Sequence, residues 1–223
     1  MNNTKKYKNI EGSWIQNTTY PRKRLKYLVE FIRGIEPGSK NYGIEGEGKR
    51  FIRVNDIGRG NKDNVFVYLE TDATCSKEDV LLCLDGSPGI VATGFAGIFS
   101  TGLRKIKLNN NSLNYKYLWY SLNCDFSQEC INLFSKGTTI MHASRATNYL
   151  IQPIPPKIEQ IKIADFLDDK TEKINKLIEN KKKQVDLLKE KEDIIMDTIF
   201  TKGKEKKDYF DSEVEWIGKI QKN

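Results

Sequence analysis

The stretch IEQIKIADFLDDKTEKINKLIENKKKQVDLLKEKEDIIMDTIF, Ile158 to Phe200, contains neither glycine nor proline. With Ala164 taken as heptad position a, the a positions are Ala164, Thr171, Ile178, Val185, Glu192 and Ile199. The d positions are Leu167, Ile174, Lys181, Leu188 and Ile195, so eight of the eleven seam residues are apolar while most residues between them are charged. A stripe sustained in this way predicts a long helix with a partner helix along it, because a lone helix leaves that face in water. At 1.5 Å per residue it would run roughly 65 Å. Pro155 and Pro156 stand where such a helix begins, and Gly203 where it ends. The polar seam positions Thr171, Lys181 and Glu192 cost stability and can set register or orientation.

Working outward, composition changes at Pro153. Upstream the pattern is mixed and turn-rich; downstream it shifts to Lys, Glu, Asp, Ile and Leu. The expected organisation is therefore a mixed α/β (α+β) domain over 1–153, a coiled-coil helix over 154–203 and a tail over 204–223. Leu25, Leu28, Val29 and Ile32 recur at helical spacing and predict an amphipathic helix over Arg22–Ile32. Glycines from Gly34 to Gly48 mark a long loop. Strand-like runs follow at Arg50–Val54, Val65–Leu69, Val80–Leu84, Ile90–Ala92, Ile98–Phe99 and Arg104–Leu108. Helices are expected over Tyr115–Leu122 and Gln128–Phe134. There is also an internal echo: Tyr7 precedes Trp14-Ile15 by seven residues, as Tyr209 precedes Trp216-Ile217.

The 223 residues carry 37 Lys and Arg against 30 Asp and Glu, a net charge of +7. That balance fits a polyanionic partner without requiring one. The four cysteines, Cys75, Cys83, Cys124 and Cys130, show no C-x-x-C spacing, and His142 is the single histidine, so a Cys/His metal site is poorly provided for. Reduced, mostly buried thiols in a cytoplasmic protein are the expectation. The lysine-rich start has no apolar core of a signal peptide, and no apolar run reaches membrane-spanning length. No P-loop, glycine-rich cofactor motif, adenine-methyltransferase loop or nuclease signature is present, so the chain reads as non-catalytic. Asp56 and Asp85 read as cap or turn residues before they read as a metal pair. Tyr117, Trp119 and Tyr120 read as core.

Four stretches resemble the specificity subunits of type I restriction-modification systems. They are Tyr20-Pro-Arg-Lys-Arg-Leu-Lys-Tyr-Leu28, Phe51-Ile-Arg-Val-Asn-Asp-Ile57, Lys77 to Gly89, and Ile154-Pro-Pro-Lys-Ile-Glu-Gln-Ile-Lys-Ile-Ala-Asp-Phe-Leu167 leading to Thr201-Lys-Gly203. The Pro-Pro-x-x-Glu-Gln helix is the most specific; Lys77-Glu departs from the family's Gly-Asp. The usual member has two recognition domains and two helices, whereas here there is one of each followed by Trp216-Ile-Gly218, so the resemblance is to a half-length form. It implies a DNA-reading subunit working as a homodimer or with another half-subunit, its helices antiparallel, on an interrupted double-stranded site. It also implies a methyltransferase subunit docked on the helix and a restriction subunit held through it. S-adenosylmethionine, ATP and Mg would belong to those partners, with no cofactor in this subunit. Charges such as Lys181–Lys183 and Glu190–Asp193 would belong to that dock or to a solvated face.

A DNA reader needs Lys and Arg for phosphates and a few side chains for base edges. The candidates lie in the turn-rich loops: Arg33, Lys40, Lys49, Arg50, Arg53, Asn55, Arg59, Asn61, Lys62, Ser87, Lys136, Thr138, Thr139, His142, Ser144 and Arg145. The dimer-seam candidates are Leu167, Ile174, Ile178, Val185, Leu188, Ile195 and Ile199. Surface basic residues are commonly just solvated, Gly86 and Gly89 are first of all turn formers, and a coiled-coil adaptor with a protein-binding head, or an inactive remnant of a longer subunit, shares the same composition.

Overall fold

The computed structural model describes residues 20–44, 46–58, 64–137, 141–202 and 209–221. By contacts it divides after Leu167 into two units. In chain order the first contains β1 (Arg22–Arg24), β2 (Val29–Arg33), β3 (Tyr42–Gly43), β4 (Lys49–Ile52), α1 (Val54–Gly58), β5 (Val65–Val67) and β6 (Thr74–Cys75). There follow β7 (Val80–Cys83), β8 (Asp85–Gly86), β9 (Val91–Ala92), β10 (Gly97–Phe99), β11 (Leu103–Leu108), α2 (Tyr115–Asn123), α3 (Asp125–Phe134), β12 (Met141–His142) and β13 (Ile151–Pro153). The long helix α4 (Lys157–Lys202) begins in this unit, and β14 (Tyr209–Asp211) and β15 (Lys219–Gln221) form a hairpin in the second.

Two sheets carry the head. One is antiparallel in the order β2-β11-β7-β9; the other has five strands in the order β3-β5-β4-β10-β6, with β10 parallel to β4. Strand β7 is buried along its whole length, and its pleat explains why. Val80, Leu82 and Leu84 point into a core shared with Leu118 and Leu122 of α2 and Ile131 of α3. Leu81 and Cys83 point the other way, onto Ile52 and Phe99 of the five-stranded sheet. Period-2 alternation thus buries apolar side chains on both faces, which is what the continuous run Val80–Leu84 encodes.

The expected helix over Arg22–Ile32 is not formed. A 3-10 turn at Leu25–Tyr27 joins two strands: β1 pairs with β13, and β2 pairs with β11. A turn followed by a strand buries Leu25, Leu28 and Val29 as a helix face would. The β-branched and aromatic run Val29, Phe31 and Ile32 favours the pleated surface. Arg50–Val54 also needs correction, since its strand ends at Ile52 and Val54 opens α1. Helix α3 starts earlier than expected, at Asp125, and α2 extends one residue to Asn123. The short strands β3, β6, β8, β12 and β13 and the C-terminal hairpin carry no run long enough to have been read.

The aromatic residues of α2 pack on the core. Tyr117 is buried and donates from its hydroxyl to Pro153 O at 2.9 Å, and Trp119 Nε1 donates to Val91 O at 3.2 Å. The first turns of α4 belong to the head because of Gln160. Its amide is fully buried, accepts from the Asn114 N–H at 2.8 Å, and donates to Ser112 O at 2.7 Å and Pro155 O at 2.9 Å. Tyr20 donates to Glu159, and Ala164 is buried one turn on. The Glu-Gln of the helix motif is therefore a staple, satisfying backbone groups that burial would otherwise orphan.

From Asp168 on, the helix is solvent-lined, with ion pairs such as Asp169–Lys173 at 2.7 Å and Glu179–Lys183 at 2.9 Å spaced one turn apart. No helix among the described residues is long and apolar enough to cross a membrane. Cys75, Cys83 and Cys130 are buried and Cys124 is half-buried, all as free thiols. Burial pushes the Cys75 thiol up to about 11 and the Cys130 thiol up to about 12.

Candidate nucleic-acid interface

Strand β8 pairs with β12, Asp85 opposite His142 and Gly86 opposite Met141. Reciprocal backbone bonds between Lys136 and His142, at 3.0 and 2.8 Å, close the loop leading into β12. Beside it, residues 85–89 turn tightly: the Gly89 N–H donates to Cys83 O at 2.9 Å, with Gly86 at φ 93° and Gly89 at φ 99°. Gly89 has a second constraint, since a Cβ there would meet Gln128 Oε1 at 2.4 Å. These glycines are turn formers, and Ser87 is exposed between them.

Against this pair of loops lies an open cleft of about 530 Å³, lined among others by Arg33, Glu36, Asp85, Arg104, His142 and Ser144. Arg104 is its anchor. Its side chain is 10% exposed, and it donates to Thr101 O at 2.7 Å, Leu103 O at 3.0 Å, Asp85 Oδ2 at 3.2 Å and Ser144 Oγ at 3.1 Å. The other Asp85 oxygen, Oδ1, bonds His142 Nδ1 at 2.9 Å, and the His142 side chain is 62% exposed while that of Asp85 is 16% exposed. A buried guanidinium thus holds a nearly buried carboxylate, which holds an exposed imidazole.

The structure brings three of the sequence candidates, Arg33, His142 and Ser144, into this cleft. Lys136 is joined to His142 through backbone bonds, and Ser87 lies in the adjoining turn. Arg145 is exposed on the 3-10 turn Ser144–Asn148. The others are elsewhere. Lys40 is exposed on the 3-10 turn Ser39–Asn41, and Asn55 is exposed on α1. Lys49 pairs with Glu70 at 3.2 Å on the surface. Arg50 is half-buried, its guanidinium over the Phe95 ring at 5.6 Å and its Nε without a hydrogen-bond partner. Arg53 is held by Asp56, Nη2 to Oδ1 at 2.9 Å, while Asp56 also accepts the Arg53 N–H at 2.7 Å and so closes the start of α1. Arg59, Asn61, Lys62, Thr138 and Thr139 lie outside the described residues.

Asp56 and Asp85 act as cap and tether respectively. Sequence reasoning passed over Arg104 as a site residue. Its signal was there: in the pleat of β11, Arg104 shares a face with the buried Ile106, and a charge on a core face needs an acidic partner.

In the second unit the seam residues form an apolar stripe open to solvent on this chain. Ile174 is 56% exposed, Val185 50%, Leu188 65% and Ile199 47%, and Ile178 and Ile195 are similarly open, while Leu167, at the end of the first unit, is half-buried.

The family model for the type I restriction modification DNA specificity domain matches residues 17–187. The chain belongs to that family. A type I restriction enzyme MjaVIII specificity subunit from Methanocaldococcus jannaschii is 27% identical over 196 residues, covering 81% of this chain and 41% of the relative. Solved structures show the same fold at 20% identity. One, from work on complex assembly and conformational transition in the type I R-M system, matches with a TM-score of 0.69 over 88% of this chain and 53% of its own. The HsdS subunit from Thermoanaerobacter tengcongensis matches with a TM-score of 0.57 over 77% and 46%. The M. genitalium S subunit matches with a TM-score of 0.53 over 74% and 42%. This specificity-family chain therefore spans about half the length of the relatives it matches.

Proposed function

We propose that the head reads one part of an interrupted double-stranded DNA site, and that the helix joins it to a second reader and to a methyltransferase subunit. The observation that carries this is the family match, which runs unbroken through the head and most of the helix. The cleft beside β8 and β12 supports it, because donors and acceptors converge there on exposed loops. A partner helix, from a second copy or another subunit of the same kind, covers the seam from Leu167 to Ile199. The chain itself supplies no catalytic step. Methylation and cleavage fall to the methyltransferase subunit and to a restriction subunit recruited through it, and S-adenosylmethionine, ATP and Mg are theirs.

The test is selection from random duplexes with the chain and its methyltransferase subunit together. Enrichment of a bipartite motif is expected. A pool that stays random would leave a protein-binding adaptor as the better reading.

A further inference from the structure

We propose that His142 reads a base edge in the major groove through Nε2, with Asp85 as the positioning residue that decides what Nε2 can recognise. This rests on the DNA-reading function proposed above and assigns it to one atom.

An exposed side chain normally samples several rotamers and must lose that freedom on binding. His142 is 62% exposed yet tethered, because Nδ1 is bonded to Asp85 Oδ1 at 2.9 Å. Asp85 in turn cannot swing away, since Oδ2 is held by Arg104, and Arg104 is fixed by Ser144 and the carbonyls of Thr101 and Leu103. The ring is therefore presented with Nδ1 inward and Nε2, on its opposite edge, outward.

The tether also fixes the chemistry. A carboxylate only accepts hydrogen bonds, so the neutral ring facing it carries its proton on Nδ1 and leaves Nε2 as an acceptor. Phosphate oxygens are acceptors too and offer Nε2 nothing. The cleft, moreover, sets Glu36 and Asp85 beside Arg33 and Arg104, a mixed lining that does not favour an anion. In the major groove the donors are the exocyclic amines, N6 of adenine and N4 of cytosine. His142 therefore favours adenine or cytosine at one position of the site.

The prediction sharpens at Asp85→Asn. Arg104 donates to one side of that side chain, so the asparagine turns its oxygen to Arg104 and its amide N–H to His142 Nδ1. The imidazole proton then moves to Nε2, which becomes a donor, suited to guanine or to thymine O4.

The measurement is the sequence preference of the full chain with its methyltransferase subunit, at pH 8, for wild type, His142→Ala, His142→Asn and Asp85→Asn. His142→Ala is expected to flatten one position, by roughly tenfold or more, with the rest of the motif and the salt dependence intact. His142→Asn, whose amide reaches only as far as Nδ1, should flatten the same position. Asp85→Asn should switch that position to guanine or thymine. An unchanged motif in His142→Ala overturns the inference, as does a uniform loss with a salt slope lower by about one, which marks a phosphate contact. An Asp85→Asn protein that keeps the wild-type preference overturns the positioning role, and the two His142 variants decide the rest if Asp85→Asn does not fold. If wild type itself selects no motif, the DNA-reading function fails first, and that result is distinct from the others.

Discussion

The head and the helix beyond Leu167 hold similar kinds of apolar side chain in opposite circumstances. In the head, Phe99, Ile98 and Leu82 have no exposure at all, whereas Ile174, Leu188 and Ile195 on the helix are 56%, 65% and 46% exposed. The head completes its own core with two sheets and two helices. The helix segment buries little of its stripe within the chain, which is what the proposed partner helix would cover. A helix of this kind takes its stability from packing that a neighbour supplies.

The largest effect should come from breaking the seam. Ile174→Asp with Leu188→Asp places charges where apolar contacts are expected, and sedimentation should show complete loss of self-association or of pairing with another half, with the head's unfolding midpoint unchanged. A double variant that still associates would mean the seam is elsewhere. Next, Phe99→Ala should destabilise the head by about 3–5 kcal/mol, as for other large buried aromatics, in urea unfolding. Leu188→Ala provides the contrast: about 2–5 kcal/mol when the seam is covered, and little in a dissociated chain. Gln160→Leu should cost about 2–3 kcal/mol by thermal or urea unfolding, because it orphans the Asn114 N–H and the Ser112 and Pro155 carbonyls.

A smaller effect should be seen in alkali. The Cys75 and Cys130 thiols stay protonated in the folded head, up to about 11 and about 12, while an unfolded thiol ionises from about 8.5. Folded values raised in this way give stability that is complete below about pH 8.5 and declines as pH rises toward the folded values. The head's unfolding midpoint should therefore fall between pH 8.5 and 11, and Cys75→Ala with Cys130→Ala should lessen that fall. Asp169→Ala should change least. Asp169 and its partner Lys173 are both more than half exposed, so the midpoint should stay within measurement error in high salt.

The helix was readable in the sequence because its pattern repeats over many turns and needs no distant residue to make sense. Strand β7 was readable as an apolar run, and β11 as a strand-like run in which Ile106 and Leu108 alternate with lysines. Residues 22–32 misled because a 3-10 turn entering a strand places Leu25, Leu28 and Val29 inward at spacings that a helix would also give. Short elements such as β8 and β12 are strands through their pairing with each other, Asp85 and His142 lying 57 residues apart. The same separation hid the site. His142 could be picked out by residue type in a polar stretch, but its tether to Asp85 and the hold of Arg104 on both loops are facts of pairing, not of local pattern.

The Gln160 staple has a practical consequence for anyone exchanging heads between members of this family. A graft joined at Pro153, where the composition changes, would set one parent's Asn114 and Ser112 against the other parent's helix. A junction placed after Leu167 would transfer both sides of the clasp together, and the head would arrive with the turns of helix it needs to close.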